Sequence, residues 1–238
     1  MKKYLGQHFL KNRKILEEIA RSAGLFKKDI VLEIGPGHGE LTEFLAQAAG
    51  KIIAVEKDRE LIPFLEEKFK NQKNVKIISG DILKIRNLRV KNYKIVANIP
   101  YYITSHFLRT FLEAKNKPKL MVLMVQYEVA KRICAKPPKM NLLALSVQAY
   151  ARAKFIRKVS RGNFSPPPEV DSAVIKITLG RPAPQAEKIL KIARRAFQQK
   201  RKMLRHSLKG VEMPKRYLKT RPQELSLEDW KEIFSNIY

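Results

Sequence analysis

Short apolar runs alternating with helical stretches constrain this chain more than any other feature. Ile30-Val31-Leu32-Glu33-Ile34, Lys51 to Glu56, Val75 to Ser79, Tyr93 to Ala97 and Leu120 to Val125 read as strands. Between them lie helical spacings. In Asn12 to Ser22 the residues Ile15, Leu16, Ile19 and Ala20 share one face, and Gly24 stops the run. Leu41 to Ala49, Arg59 to Phe69 and Thr104 to Leu112 follow the same rule. Strands that alternate with helices in this way pair in parallel and carry helices on both faces. The pattern changes after a helix around Leu142 to Ala151. Phe155 to Val159 and Ser172 to Thr178 then predict two strands joined by the loop Ser160 to Asp171, an antiparallel ending to the sheet. Gly180-Arg181-Pro182 marks a boundary, beyond which only helical patterns occur: Glu187 to Leu208, and a last helix after Ser226 with Asp229 as a partial capping box. The expected organisation is a mostly parallel α/β domain over 1–179 and a small all-α domain over 180–238.

The 238 residues are 45% hydrophobic, enough to bury a core, yet 49 Lys+Arg against 22 Asp+Glu give a net charge of +27. Such a field attracts polyanions, nucleic acid first among them. The segment 180–238 holds 15 Lys+Arg and 6 Asp+Glu, and Arg194, Arg195, Arg201, Lys202 and Arg205 recur there at roughly helical spacing, which predicts a phosphate-contacting face. Cys134 is alone, which excludes a disulfide framework and a cysteine-based zinc site. His8, His38, His106 and His206 lie in unrelated segments without metal-ligand spacing, so no metal is expected. The first eight residues lack the apolar core of a signal peptide, and Leu120 to Val125 is far too short to span a bilayer. A soluble, cytoplasmic protein without a membrane partner is expected.

Chemistry-bearing residues stand where the strands end. Glu33-Ile34-Gly35-Pro36-Gly37-His38-Gly39 follows the first strand and opens a helix, at the edge where parallel sheets bind ligands. The nicotinamide fingerprint fails, because position 40 is Glu, and Glu33 would repel a pyrophosphate. An acid leading a glycine turn suits a ligand with a cationic end and no phosphate; S-adenosylmethionine, with its ammonium and sulfonium, fits. Glu56 ends the second strand, placed to grip both ribose hydroxyls, and Asp81 follows the third, placed to accept from an adenine amine. Asn98-Ile99-Pro100-Tyr101 ends the fourth. An amide can accept from an exocyclic amine, an aromatic ring can stack on a base, and Pro100 stiffens the turn that aims both. No Gly-x-Ser-x-Gly elbow and no Walker glycine loop competes with this reading.

With these motifs the chain resembles the ribosomal RNA adenine N6-dimethyltransferases of the KsgA type. The resemblance also rests on Gly6-Gln7-His8-Phe9-Leu10, on Tyr102-Ile103 after the Asn98 turn, and on Gln126-Tyr127-Glu128-Val129-Ala130-Lys131-Arg132. Phe164-Ser165-Pro166-Pro167-Pro168-Glu169-Val170-Asp171-Ser172 and the stretch Phe197 to Leu208 complete it. It implies a Rossmann-like methyltransferase sheet that binds S-adenosylmethionine, with His8, Leu10 and Gly35 around the methionine end. Glu56 would hold the ribose, Asp81 the cofactor adenine, and Asn98 the border with the target base. Tyr101 would stack on that base and Phe164 would close over it. The implied targets are two adjacent adenines in a hairpin near the 3′ end of 16S rRNA, in a small-subunit assembly intermediate, with the enzyme acting as a monomer. His8 stands where Asn is frequent, Leu142-Leu143 replaces a usual Tyr-Gly, and Lys200 and His206 replace Arg and Asn. Two rival readings are a 23S rRNA adenine methylase that confers macrolide resistance and a non-catalytic assembly factor on the same scaffold.

Overall fold

The computed structural model describes residues 8–84 and 90–236. The N-terminal residues Gly6 and Gln7 of the first motif lie outside them. Among the described residues, strands β1 (Phe9–Leu10), β2 (Ile30–Ile34), β3 (Lys51–Glu56), β4 (Val75–Ser79), β5 (Tyr93–Asn98), β6 (Leu120–Gln126), β7 (Ala151–Val159), β8 (Phe164–Ser165) and β9 (Ser172–Leu179) alternate with helices. The helices are α1 (Arg13–Ser22), α2 (Glu40–Ala48), α3 (Ile62–Phe69), α4 (Thr104–Glu113), α5 (Tyr127–Ile133), α6 (Leu142–Gln148), α7 (Ala186–Gln198), α8 (Leu204–Ser207) and α9 (Leu227–Ser235).

The seven-stranded sheet runs β4-β3-β2-β5-β6-β9-β7. Pairing is parallel from β4 through β6 and antiparallel where β9 joins β6. This is the α/β architecture with an antiparallel ending that the alternation predicts. The strand order reverses between β2 and β5, so a crevice opens beyond their carboxyl ends. The apolar runs are buried on both faces: Val31, Ile52, Ile95, Met121 and Val122 each have 0% exposure. Helix α1 begins where Asn12 Oδ1 accepts from the backbone N–H of Lys14 and Ile15, and its buried face is Ile15, Leu16, Ile19 and Ala20, as its spacing predicts.

Three local readings need correction. The helix expected around Leu142 to Ala151 stops at Gln148, because the backbone of Ala149 and Tyr150 instead accepts from Ala183 and Gly180, and Ala151 already begins β7. The helix expected over Glu187 to Leu208 breaks after Gln198. Leu204 and Arg205 donate their N–H groups to the carbonyls of Thr220 and Leu218 rather than to a continuing helix. A third feature went unseen: β1 and β8 form a two-residue antiparallel pair, Phe9 facing Ser165 and Leu10 facing Phe164. Two-residue strands carry too little pattern for sequence periodicity to register.

The chain divides into two compact units. One comprises Met1–Ala130 with Lys154–Leu179; the other comprises Lys131–Ala153 with Gly180–Tyr238. The division therefore differs from 1–179 and 180–238, since the segment around α6 packs with α7 and belongs to the helical unit. That unit centres on Trp230, 1% exposed, whose ring lies 6.2 Å from that of Phe197. The Tyr217 hydroxyl donates toward the Asp229 and Glu232 carboxylates at 3.0 Å each.

Helix α9 starts with the capping box expected at Ser226: its hydroxyl accepts from Asp229 N–H, while Asp229 Oδ2 accepts from Ser226 N–H at 2.7 Å. Replacing Ser226 by Ala is expected to lower stability by about 1 kcal/mol, read as an earlier urea midpoint at unchanged slope. No helix among the described residues is long and apolar enough to cross a membrane.

Candidate active site

At the carboxyl ends of β2, β3 and β5 a cleft encloses about 900 Å³, part of it open to solvent. Its walls come from the glycine turn after β2 (Glu33, Gly35, Pro36, Gly37), the end of β3 (Glu56, Lys57, Asp58), the turn after β5 (Asn98 to Tyr102) and the N-terminal segment His8 to Leu10.

The glycine turn is shaped by backbone conformations that side chains resist. Gly35 has φ +65° and donates its N–H to Val55 O at 2.9 Å, binding the turn to β3. Gly37 has φ +60°, and a Cβ there would stand 2.8 Å from the Phe9 ring. The N-terminal segment therefore closes onto the turn only because position 37 lacks a side chain. The same ring packs on His38 with centroids 4.3 Å apart.

Acids dominate the cleft of this strongly basic protein. Glu33, Glu40, Glu56 and Asp58 line it, against one lysine, Lys57. Glu56 is 5% exposed; its Oε2 accepts from Gly37 N–H at 3.1 Å and its Oε1 from Asp58 N–H at 2.8 Å. Burial pushes its carboxyl above the usual range, opposed by those backbone donors. Both oxygens keep a lone pair for a ligand hydroxyl.

Glu33 differs. It is 1% exposed, and neither carboxyl oxygen has a hydrogen-bond partner among the described residues. Burial pushes its carboxyl up to about 8, the neighbouring Thr42 hydroxyl opposes this without a bond of normal geometry, and Glu56 and Glu40 add to the rise. A buried carboxyl without a partner is costly unless a cation or donor arrives.

The turn after β5 is fixed from two sides. Asn98 Nδ2 donates to the carbonyl of His8 at 3.2 Å, which leaves Oδ1 as an acceptor with no partner among the described residues. The Tyr101 hydroxyl and Ser172 Oγ lie 2.6 Å apart, so the ring cannot swing freely. Burial raises the Tyr101 phenol, which stays neutral. His8 Nδ1 lies 2.9 Å from Pro166 O; since a carbonyl only accepts, Nδ1 carries the proton. The His8 and Tyr101 rings are nearly parallel, 23° apart with centroids at 6.2 Å.

Seven of the nine residues expected in the catalytic and cofactor sites line this one cleft: His8, Leu10, Gly35, Glu56, Asn98, Pro100 and Tyr101. Phe164 does not. It is 5% exposed and packs in the main core, because its pairing with Leu10 turns it inward. Asp81 is also outside the lining. It forms an ion pair with Lys57 at 3.1 Å, and its Oδ1 accepts from Leu83 N–H at 3.0 Å. The donors outweigh burial and lower its carboxyl.

Sequence reasoning missed the roles of Phe9, which packs on Gly37, and of Ser172, which holds Tyr101. The small residue Ser172 at the start of an apolar strand was the only signal for the latter. Of the basic residues, Arg194 and Arg195 lie on α7, Arg201 and Lys202 in the turn after it, and Arg205 on α8, so they do not share one helix face.

This is the fold and site of an S-adenosylmethionine-dependent methyltransferase: a doubly wound sheet with an acidic cleft at its switch point. The model of one family, ribosomal RNA adenine dimethylase, matches residues 1–233, and the chain belongs to that family. Ribosomal RNA small subunit methyltransferase A of Dehalococcoides mccartyi (strain CBDB1) is 44% identical, with 98% of this chain and 87% of the relative aligned. Two solved structures superpose equally well. The 23S rRNA methyltransferase ErmE has a TM-score of 0.84 and 26% identity, covering 96% of this chain and 99% of that one. A dimethyladenosine transferase from Plasmodium falciparum has the same TM-score and identity, covering 95% and 96%.

The residues fit the cofactor. Glu33 offers a buried carboxyl, without a partner among the described residues, that a cationic group would ionise; Glu56 offers two oriented oxygens, and the glycine turn admits close backbone approach. When bound, S-adenosylmethionine supplies an electrophilic methyl on a sulfonium.

Proposed function

We propose that this protein dimethylates N6 of two adjacent adenosines in a hairpin near the 3′ end of 16S rRNA, acting on a small-subunit assembly intermediate. The observation that carries the reading is an acidic cleft ending at the Asn98–Tyr101 turn in a chain of net charge +27. Carboxylates inside the cleft select a small cation, while the basic exterior draws RNA.

The N6 lone pair of adenine is delocalised into the ring. Asn98 Oδ1 accepts one N–H of the amine. A backbone carbonyl of this turn, at Ile99 or Pro100, is the second acceptor; Pro100 O also accepts from Ile103 N–H at 3.2 Å and keeps a second lone pair. Two acceptors held off the ring plane localise the lone pair and aim it at the methyl, so positioning and electrostatics carry the rate. Tyr101, anchored by Ser172, stacks on the base, which must leave its helix to reach the cleft. His8, Leu10 and Gly35 surround the methionine end of the cofactor and Glu56 holds the ribose. Asp81, ion-paired with Lys57, accepts from the amine of the cofactor adenine.

The helical unit contributes Arg194, Arg195, Arg201, Lys202 and Arg205 as phosphate contacts. Changing any one to Ala is expected to weaken RNA binding generally and to reduce the salt slope by about 1, with methyl transfer at saturating RNA unchanged; filter binding at several salt concentrations reads this.

Transfer of labelled methyl to small-subunit particles lacking the modification, with large-subunit RNA as control, tests the function. N6-dimethyladenosine in small-subunit RNA supports it. Label in large-subunit RNA alone moves the protein to the resistance class, and particle binding without label leaves an assembly factor.

A further inference from the structure

The Asn98 turn carries two aromatic rings in succession, and the chemistry described so far uses only one. Tyr101, Tyr102 and Ile103 form a single 3-10 turn entered through Pro100. The turn is firmly held: Ile103 N–H donates to Pro100 O at 3.2 Å, and Thr104 Oγ1 donates to Tyr101 O at 3.1 Å. With three residues per turn, neighbouring side chains point about 120° apart. Tyr101 accordingly goes inward to Ser172, while Tyr102 stays 63% exposed. Yet Tyr102 still lines the cleft, at its mouth. Its hydroxyl has no hydrogen-bond partner among the described residues, and its ring gains little from the core.

A single exposed tyrosine is ordinary on a protein surface. This one is distinguished by its place: the position next to the base-stacking ring, on a rigid turn, at the entrance through which RNA must bring a base. Pulling one adenine out of a stacked strand uncovers a face of the adjacent base. An aromatic ring at that point replaces the lost stacking, whatever the identity of the base.

We propose that Tyr102 is the stacking platform for the nucleotide adjacent to the adenine in the cleft, so that the turn holds two successive bases, one on each tyrosine. The proposal rests on the adenine-methylating reading of the cleft. In a substrate with two neighbouring targets, the base on Tyr102 is the partner adenosine, waiting or already modified. Tyr102 is therefore a positioning residue for the substrate and takes no part in the transfer itself.

The test uses the full chain and an RNA hairpin with two adjacent adenosines, one replaced in turn by 2-aminopurine, whose fluorescence is quenched by stacking. With the probe at the adjacent position, the wild type and Tyr102→Phe are expected to keep it quenched on binding. Tyr102→Ala is expected to brighten it and to weaken binding about tenfold. With the probe at the target position, all three proteins should give the same signal. In turnover, Tyr102→Ala should raise KM for RNA far more than it lowers kcat.

Equal fluorescence and affinity for Tyr102→Ala and wild type would overturn the proposal. So would a signal that follows Phe155→Ala, a second partly exposed ring, in place of Tyr102→Ala. If the wild type shows no change at the target position and no methyl transfer to unmodified small-subunit particles, the reading of the cleft itself fails, and this proposal fails with it.

Discussion

Replacing Asn98 by Ala is expected to reduce methyl transfer about 10²- to 10³-fold in kcat, with small changes in KM for RNA. The amide does two things at once. Nδ2 holds the His8 carbonyl at 3.2 Å, and this contact fixes which side of the amide presents its oxygen. Oδ1 is then an acceptor that costs no reorganisation when the amine arrives. Asn98→Asp separates the two tasks. It keeps the shape and an acceptor but sets a carboxylate oxygen against the His8 carbonyl, so it is expected to be nearly as slow as Asn98→Ala. Single-turnover transfer to unmodified small-subunit particles measures both. Rates within a few-fold of wild type for either variant would remove Asn98 from the transition state.

The second large effect concerns Glu33, the buried carboxyl without a partner. Its folded-state value of about 8 stands above the ordinary 4.5. Between these two values the folded protein binds the proton and the unfolded chain does not. The stability contributed by this group is therefore complete below about pH 4.5 and declines as pH rises through 8. The decline amounts to roughly 3–5 kcal/mol, at about 1.4 kcal/mol per pH unit. Glu33→Gln keeps the volume and removes the titration, so its stability should be flatter across this window and higher than wild type near pH 8; urea denaturation at several pH values reads this.

A cationic ligand reverses the balance at Glu33. Binding of S-adenosylmethionine at neutral pH should draw a proton off the carboxyl, so affinity should rise with pH toward 8. Calorimetry in buffers of different ionisation enthalpy should detect up to one proton released by the wild type and none by Glu33→Gln. Proton release that persists in the variant would assign the ionisation to another group.

The fold was largely legible. The central parallel strands β2, β3, β5 and β6 are short, largely buried apolar runs, and the edge strand β4 is only partly buried. The long helices of the sheet have one-sided stripes, so local periodicity alone placed these elements. The boundaries that failed are those where the backbone bonds to distant chain. Leu204 and Arg205 pair with Thr220 and Leu218, and no pattern within Glu187 to Leu208 announces that. The site was legible for a related reason: in a parallel sheet every strand ends on the same edge, so residues at strand ends converge whatever their separation in sequence.

The sequence by itself determined the α/β class, the converging set Gly35, Glu56, Asn98 and Tyr101, and the basic charge, because these depend on residue type and strand order. Tertiary structure alone decided how the groups are aimed. It buried Glu33 without a partner, turned Phe164 into the core through its pairing with Leu10, engaged Asp81 with Lys57, and oriented the Asn98 amide through a carbonyl 90 residues away. Hydrogen bonding and desolvation depend on which atoms lie within a few ångströms, and chain neighbours say little about those atoms.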